Sequence, residues 1–220
     1  MYKILIVQTA FIGDVILITP LIRAVKDLYP KALLDVMAVP AAAGLLKHNP
    51  NLNQVIRFDK RSRGNIIKIV KRLRGEHYDL VVSPHSSFTT HFILAMSGIP
   101  LRIGYARGFL SSLLMTTRVE HPKGIHKIRK NLSLLRPLSD KEFSMQTELF
   151  PSSDERQAAE VLLGELGHQE LPLIAIAPGS IWATKCWPLE YYTELAEALL
   201  RNGFRLLLTG GEGDREKCEE

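Results

Sequence analysis

The sequence predicts an α/β fold in which a complete doubly wound parallel sheet is followed by the first part of a second one. Short apolar runs alternate with helical apolar spacing over the first 150 residues, and parallel strands are usually joined by helical crossovers. The same alternation restarts near residue 173 but continues for only about fifty residues, whereas a domain of this kind needs roughly 100–150. We therefore predict one N-terminal domain over residues 1–150. Residues 151–220 are predicted to hold a connecting helix and an incomplete second domain.

The opening stretch, residues 2–28, sets the pattern. Residues 4–7 (ILIV) are a continuous apolar run, which predicts a strand buried on both faces. A turn at residues 9–13 leads into helical spacing from Asp14 onward. Pro20 lies too far in for the first turn of this helix, so either the helix kinks there or Thr19 caps a second start. This unit places the Asp14 carboxylate at the carboxyl edge of the sheet, where open α/β folds bind ligands.

The remaining elements follow in order. Further strands of the first domain are predicted at residues 32–39, 55–58, 78–83, 102–105 and 115–119. Its helices are predicted at residues 41–47, 65–74, 88–97 and 126–135. A connection over residues 139–153, with an extended piece at 145–150, leads to a helix at 154–166. The second unit then reads strand 173–177, helix 189–201, strand 204–209 and a helix after residue 214.

Composition limits the class of protein. The net charge of +5, from 28 basic and 23 acidic residues, favours a partner that carries phosphates or carboxylates. Few aromatic residues lie among the basic ones, which argues against single-stranded nucleic acid as the partner. The two cysteines, Cys186 and Cys218, form neither a disulfide framework nor a metal pattern, which indicates a reducing compartment. The N-terminal apolar run is too short for a signal peptide, and no apolar run is long enough to span a membrane. We predict a cytoplasmic protein.

Gly13-Asp14 has two interpretations. Aspartate in the first turn of a helix is favoured by capping and by the helix macrodipole. A carboxylate at the carboxyl edge of the sheet is also placed to act as a general base. Taken alone, the motif favours the capping role.

Residues 177–188 (APGSIWATKCWP) form the second motif. A strand that ends in Pro-Gly-Ser, followed by Thr184 and Lys185 before a helix, collects hydroxyls, backbone N–H groups and an ammonium. Such groups suit a phosphate or diphosphate. The alternative is that Pro178-Gly179 is only a turn and the two tryptophans are only core. Neither a P-loop nor a G-x-G-x-x-G spacing occurs.

Residues 209–216 (TGGEGDRE) are a weaker signal. Glycines after a strand allow close backbone approach, and a nearby acid can bond a ribose hydroxyl. A plain turn between strand and helix is the simpler interpretation.

Basic residues cluster in loops of the first domain. Solvated faces usually explain such charges, but this concentration also favours an anionic acceptor. The histidines lack metal-ligand spacing, and we predict no metal site. The basic residues are Lys60, Arg61, Arg63, Arg102, Arg107, Arg118, Lys123, Lys127, Arg129 and Lys130.

Four blocks together resemble a known family. They are KILIVQTAFIGDVILITPLIRAVKDLYP (3–30), RIGY (102–105), HKIRKNLSLL (126–135) and APGSIWATKCWPLEYYTELAEAL (177–199). In combination they are similar to glycosyltransferase family 9, the ADP-heptose:lipopolysaccharide heptosyltransferases, and to the second-transferase type in particular. The resemblance implies a GT-B architecture. In it two Rossmann-like domains face each other across a cleft, the donor nucleotide on the C-terminal one and the acceptor on the N-terminal one.

The resemblance also implies roles for individual residues. Asp14 matches the proposed general base, which reverses the preference for capping. In the donor loop, Lys185 matches the residue that contacts the diphosphate, and Ser180 and Thr184 lie beside it. Glu216 matches an acid near the adenosine ribose. The residues expected to bind the acceptor are Gly13, Arg61, Arg63 and Arg107.

The implied activity is inverting, metal-independent and cofactor-free transfer of heptose from ADP-heptose to the inner core of lipopolysaccharide. The acceptor is then an anionic lipid A–Kdo core, and the net charge favours peripheral contact with the inner face of the cell membrane. The family's later donor motif, Asp-[Ser/Thr]-Gly followed by His, has no counterpart before Glu220. This chain alone, as a truncated form, is therefore expected to bind donor weakly or not at all. Two alternatives stay open: a GT-B transferase that uses another nucleotide sugar, and a non-catalytic anion- or glycan-binding remnant.

Overall fold

The computed structural model describes residues 1–59, 63–106, 108–109, 113–165, 170–180 and 183–219. Within it the chain forms two compact units, Met1–Ser152 and Ser153–Glu220. In the described part of the chain no helix is both long and apolar enough to cross a membrane.

The first unit is built on a six-stranded parallel sheet in the order β3-β2-β1-β4-β5-β6. The strands are β1 Lys3–Gln8, β2 Leu33–Ala38, β3 Gln54–Arg57, β4 Leu80–Ser83, β5 Leu101–Tyr105 and β6 Thr117–Val119. Every neighbouring pair is parallel. The chain moves outward from β1 in both directions, so the doubly wound sheet predicted from the sequence is confirmed.

Helices connect the strands. They are α1 Ile12–Ile16, α2 Thr19–Leu28, α3 Pro40–Ala43 with a 3-10 turn at Gly44–Leu46, α4 Arg63–Glu76, α5 Phe88–Met96 and α6 Lys127–Ser133. After β1 the helix starts twice. The hydroxyl of Thr19 donates to the Ile16 carbonyl at 2.9 Å, and Pro20 lies in the first turn of α2, where its missing N–H costs nothing. Of the two alternatives, the structure shows the second start, but Thr19 is the first residue of α2 and the N-cap is Ile18, without a side-chain cap.

The central strand is buried on both faces. Ile4 and Ile6 belong to one hydrophobic cluster, while Leu5 and Val7 belong to the other. Alternate side chains of a strand point to opposite faces. A strand covered on both sides therefore needs an unbroken apolar run.

The end of the first unit has no regular secondary structure, and residues 145–150 form no strand. This segment lies along α2. Arg23 forms an ion pair with Glu148 and donates to the Gln146 carbonyl at 3.0 Å, while the Glu148 N–H donates to the Thr19 hydroxyl at 3.0 Å. Side chains of α2 thus form hydrogen bonds with backbone groups of this segment that would otherwise pair with a neighbouring strand.

The second unit contains a two-stranded parallel sheet of β7 and β8. Its elements are α7 Ser153–Glu165, β7 Leu173–Ile176, a 3-10 turn Ala183–Lys185, α8 Leu189–Arg201, β8 Arg205–Leu208, a 3-10 turn Glu212–Asp214 and α9 Arg215–Glu219. Among its described hydrophobic side chains only Ile176 is buried. This unit follows the strand and helix order predicted from the sequence.

Candidate active site

Asp14 is the third residue of α1, and capping does not account for it. The N-cap of α1 is Phe11, and no side-chain hydrogen bond caps the helix there. The Asp14 carboxylate is about a fifth exposed (22%), and its Oδ1 lies 3.2 Å from the Nζ of Lys127. The carboxylate is therefore available at the surface, where it is paired with a cation from a distant part of the sequence.

Lys127 is held over Asp14 by the way α6 is anchored. Lys127 is the first residue of that helix, and the His126 side chain caps it by accepting a hydrogen bond from the Ile128 N–H at 3.3 Å. Nδ2 of the buried Asn131 donates to the carbonyl of Leu17, between α1 and α2, at 2.9 Å. A lysine at a helix N-terminus is opposed by the macrodipole. The Asp14 carboxylate offsets that cost and fixes the ammonium at the sheet edge.

A second contact anchors α6 to the sheet. The hydroxyl of Tyr105, at the end of β5, donates to the Lys130 carbonyl. The ring of Tyr105 is buried and packs edge-on against His121, with centroids 5.1 Å apart. Burial raises the pKa of the Tyr105 phenol, so the group remains a hydrogen-bond donor at all physiological pH values.

Polar side chains lie at the carboxyl edge of the sheet, between the end of β1 and the start of α5. Thr9, directly after β1, is buried, and its hydroxyl lies 3.4 Å from the hydroxyl of Thr90 in α5. Ser87 caps α5, accepts from the Thr90 N–H at 3.2 Å and donates to the Thr90 hydroxyl at 2.8 Å. Gln8 is also buried, and its Oε1 has no hydrogen-bond partner among the described atoms. The contact between Thr9 and Thr90 ties the loop between β1 and α1 to α5.

The role of these polar side chains was not predicted from the sequence. The available signal was the switch from apolar to polar residues at the ends of two adjacent strands, at Gln8-Thr9 for β1 and at Ser83 for β4. Lys127 was noted only as one of the basic residues, without a link to Asp14.

The structure describes only some of the residues that were predicted to bind the acceptor. Gly13 adjoins Asp14 in α1. Arg61 and Arg107 lie outside the described residues, and Arg63 is described only as the first residue of α4. Arg102, another of the basic residues noted in the sequence, binds the chain itself.

The guanidinium of Arg102 donates to the carbonyls of Ile99 and Leu114, the latter at 2.9 Å. Desolvation lowers the pKa of the Arg102 guanidinium. Its role in the described structure is to close the turn around β5.

The predicted donor residues gather on two loops of the second unit. Ser180 follows β7, and Thr184 and Lys185 lie exposed in the 3-10 turn of the same loop. The Sγ of Cys186 donates to the Ser180 carbonyl at 3.5 Å, which closes the loop. Glu216 lies in the first turn of α9, after β8. Because β7 and β8 are parallel neighbours, both loops leave the same edge of the sheet.

Glycines let these two loops touch. The Asp214 carboxylate accepts from the Gly211 N–H at 2.9 Å. A Cβ on Gly179 would lie 2.2 Å from the carboxylate carbon of Asp214, and one on Gly210 would lie 2.8 Å from the Asp214 Cβ. Real Cβ contacts are not that short. With the Asp214 side chain in this position, Gly179 is therefore needed for the approach of the two loops, and Gly210 for the turn within the second loop. Pro178-Gly179 is thus more than a simple turn.

No group of three or more His, Cys, Asp or Glu side chains that could hold a metal ion occurs within the described ranges. Lys127 beside Asp14 and Lys185 in the donor loop carry ammonium groups, which can neutralise a phosphate or carboxylate without a metal.

Comparison with known proteins identifies the family. Residues 66–220 match glycosyltransferase family 9 (heptosyltransferase). The chain is 28% identical over 244 residues to lipopolysaccharide heptosyltransferase 2 of Salmonella typhimurium, covering 99% of this chain and 66% of that protein. It is 25% identical over 208 residues to lipopolysaccharide heptosyltransferase 3 of Escherichia coli, covering 90% of this chain and 60% of that protein. The chain thus spans 60–66% of the length of these curated relatives.

Solved structures agree with this assignment. A glycosyltransferase family 9 protein from Veillonella parvula superposes with a TM-score of 0.85 at 23% identity, covering 99% of this chain and 65% of that one. The ADP-heptose lps heptosyltransferase II of E. coli superposes with a TM-score of 0.76 at 26% identity, covering 98% and 66%. The α/β fold class of GT-B type predicted from the sequence is confirmed by these likenesses. From its matched residues and its fold, this chain belongs to glycosyltransferase family 9.

Proposed function

We propose that the protein transfers heptose from ADP-heptose to the inner core of lipopolysaccharide, with inversion at the anomeric carbon. The observation that carries this proposal is the partly exposed Asp14 carboxylate at the carboxyl edge of the sheet, paired with Lys127, in a member of glycosyltransferase family 9. Relatives named lipopolysaccharide heptosyltransferase support heptose transfer to lipopolysaccharide, and the E. coli protein named ADP-heptose lps heptosyltransferase II supports the donor.

In the proposed reaction Asp14 removes the proton of an acceptor hydroxyl. The hydroxyl oxygen then bonds to the anomeric carbon of the heptose as the bond from that carbon to the diphosphate breaks, so ADP leaves with the electron pair. Lys185, with the hydroxyls of Ser180 and Thr184, stabilises the charge that develops on the diphosphate. Glu216 accepts a hydrogen bond from the ribose. This assignment requires neither a metal nor a cofactor.

Gly13 and Lys127 form the proposed contact with the acceptor. A Cβ on Gly13 would meet nothing within 4 Å, and Gly13 is not among the described glycines with positive φ. Packing therefore does not require glycine there, and we assign its open space to the incoming sugar. Lys127 binds a carboxylate or phosphate of the acceptor and holds Asp14 in place.

The acceptor is proposed to be the anionic lipid A–Kdo core, presented at the inner face of the cell membrane. Arg61, Arg63 and Arg107 remain proposed contacts to its carboxylates and phosphates. The protein is proposed to work in the cytoplasm, with peripheral contact to the membrane that carries the acceptor. The net charge of +5 supports attraction to such an anionic surface.

A donor panel tests the proposal. The protein expressed from its complete gene is incubated with a detergent-dispersed Kdo–lipid A core and ADP-heptose, UDP-glucose or GDP-mannose, and release of nucleoside diphosphate is measured. We expect turnover with ADP-heptose alone. A preference for the UDP- or GDP-sugar would instead identify a transferase with another donor. Acceptor binding without turnover of any donor would support the non-catalytic alternative.

A further inference from the structure

Helix α5 has an unusual solvent face. Its exposed positions are Phe88, Phe92 and Met96, which are 52%, 42% and 43% exposed. These residues are four apart and so lie on one stripe of the helix. The sequence of α5, FTTHFILAM, contains no Asp, Glu, Lys or Arg. A surface helix normally exposes charged residues to water. An exposed stripe without charge therefore indicates contact with an environment less polar than water.

The stripe is rigid because its other side is anchored. Thr90, His91, Ile93 and Leu94 of α5 are buried. Phe88 and Phe92 stack on each other with ring centroids 6.2 Å apart. The stripe is therefore a preformed apolar surface on a fixed helix, of the kind that marks interaction sites.

A basic helix lies beside it. α4 packs against α5, and the Arg74 guanidinium donates to the Met96 carbonyl at 2.7 Å. Ile67, Lys71 and Arg74 fall on one stripe of α4 by their spacing, and all three are exposed. The sequence of α4, RGNIIKIVKRLRGE, has five Lys or Arg residues before its single acid, Glu76.

We propose that the α4–α5 face, defined by Ile67, Lys71, Phe88, Phe92 and Met96, docks the protein on an anionic lipid bilayer. This inference rests on the proposed function, whose acceptor is a membrane lipid, and it identifies the contacting surface. Apolar side chains bordered by cations fit the boundary between acyl chains and anionic headgroups. The charge complementarity selects a lipid surface as the occupant. A second copy of the chain would bring two basic α4 helices together.

The face leads directly to the candidate active site. Phe88 is the first residue of α5 and follows Ser87. Thr90, in the same turn of the helix, contacts Thr9, which lies in the loop between β1 and the helix that carries Asp14. A bilayer against this face would therefore lie beside the Asp14 carboxylate. A lipid-anchored sugar could then reach the base without leaving its membrane.

Vesicle sedimentation tests the face. The protein is mixed with phosphatidylcholine vesicles that contain phosphatidylglycerol, and with pure phosphatidylcholine vesicles. We expect binding to the anionic vesicles that weakens at high salt. Phe92→Gln should weaken binding about tenfold, and Lys71→Gln should weaken it about fivefold. The matched controls Leu149→Gln, with 44% exposure in the parent, and Lys31→Gln, at an exposed site away from α4, should bind as the parent does.

Two outcomes would overturn the docking face: parent protein that fails to bind anionic vesicles, or Phe92→Gln that binds as tightly as the parent. If the parent dimerises without binding vesicles and Phe92→Gln abolishes the dimer, the face is assigned to a second copy, which also overturns the proposal. Transfer to the detergent-dispersed acceptor is measured in parallel and should be unchanged in Phe92→Gln. A parent protein that transfers heptose but does not bind anionic vesicles refutes the face alone, whereas absent transfer in the parent refutes the proposed function.

Discussion

At the scale of single residues, Asp14 and Lys127 form one ion pair but have different proposed roles, as base and as cation for the acceptor. Each role therefore needs its own substitution. Asp14→Asn keeps the size of the side chain but removes the base, so we expect the turnover number to fall at least about a hundredfold. Lys127→Gln keeps the base but removes the acceptor's cation, so we expect mainly a higher Michaelis constant for acceptor. Steady-state kinetics with ADP-heptose and acceptor check both.

Stability measurements provide the control for these variants. Loss of a partly exposed ion pair costs about 0–1 kcal/mol, so both variants should unfold close to the parent's melting temperature. Asp27→Asn, at an exposed site on α2, should change neither kinetics nor stability. Turnover near the parent's in Asp14→Asn would remove Asp14 from the mechanism. An unchanged acceptor constant in Lys127→Gln would remove Lys127 from the acceptor site.

Predictability from the sequence differed sharply among residues. Asp14 was located because a strand, a turn and a helix are adjacent in sequence, so local pattern sets its place at the sheet edge. Its pairing with Lys127 was not predicted, because it depends on Asn131 and Tyr105 holding α6 against distant parts of the fold. Local spacing contains no information about such contacts.

At the scale of elements, β2 shows where an apolar pattern conceals a polar centre. Asp35 lies in this strand, fully buried. Its carboxylate accepts hydrogen bonds from the Asn53 side chain at 2.9 Å, from the backbone and side-chain N–H groups of Gln54 at 3.2 and 2.9 Å, and from the Tyr78 hydroxyl at 2.5 Å. These bonds link β2 to the start of β3 and to the turn before β4. A buried carboxylate needs such partners.

Tyr78→Phe tests how much this network stabilises the sheet. Burial, followed by the hydrogen bond to Asp35, raises the pKa of the Tyr78 phenol, so the hydroxyl stays protonated and donates throughout the neutral and alkaline range. Removing it leaves the buried carboxylate short of one donor, and we expect the free energy of unfolding to fall by about 1–3 kcal/mol. Urea denaturation at neutral pH measures this.

Tyr2→Phe is the matched control for that change. Tyr2 is exposed and stacks on Tyr29 with ring centroids 5.5 Å apart, a contact that phenylalanine preserves. Its free energy of unfolding should therefore equal that of the parent. If Tyr78→Phe is no less stable than Tyr2→Phe, the network does not stabilise the sheet.

Element boundaries were predicted well where patterns were strong. The helix predicted at residues 189–201 matches α8, Leu189–Arg201, because its apolar spacing is flanked by Pro188 and by Asn202-Gly203. The helix predicted at residues 65–74 proved longer, as α4 is Arg63–Glu76. The additional residues, Arg63-Gly64 and Gly75-Glu76, are charged residues and glycines, which do not contribute to an apolar pattern.

At the scale of the whole molecule, the two units differ in how they bury their sheets. In the first, β1 is hydrogen-bonded on both sides and its residues from Ile4 to Gln8 are buried. In the second, β7 and β8 form a sheet of only two described strands, and most of their side chains are partly exposed. A two-stranded sheet is marginal by itself. Backbone amides of β1 should therefore be better protected from hydrogen exchange than those of β7 and β8.

Hydrogen–deuterium exchange of the 220-residue protein, followed by mass spectrometry, measures that protection for each strand. Amides of β1 open only with the whole first unit, so we expect peptides from this strand to exchange about a thousandfold more slowly than those from β7 and β8, a difference of roughly 4 kcal/mol. In the protein expressed from its complete gene, ADP should slow exchange in the loop of Ser180 and Lys185, because a ligand that binds the folded state stabilises it. Equal protection of β1 and β7 would show that the second unit gains stability from contacts beyond its own described core.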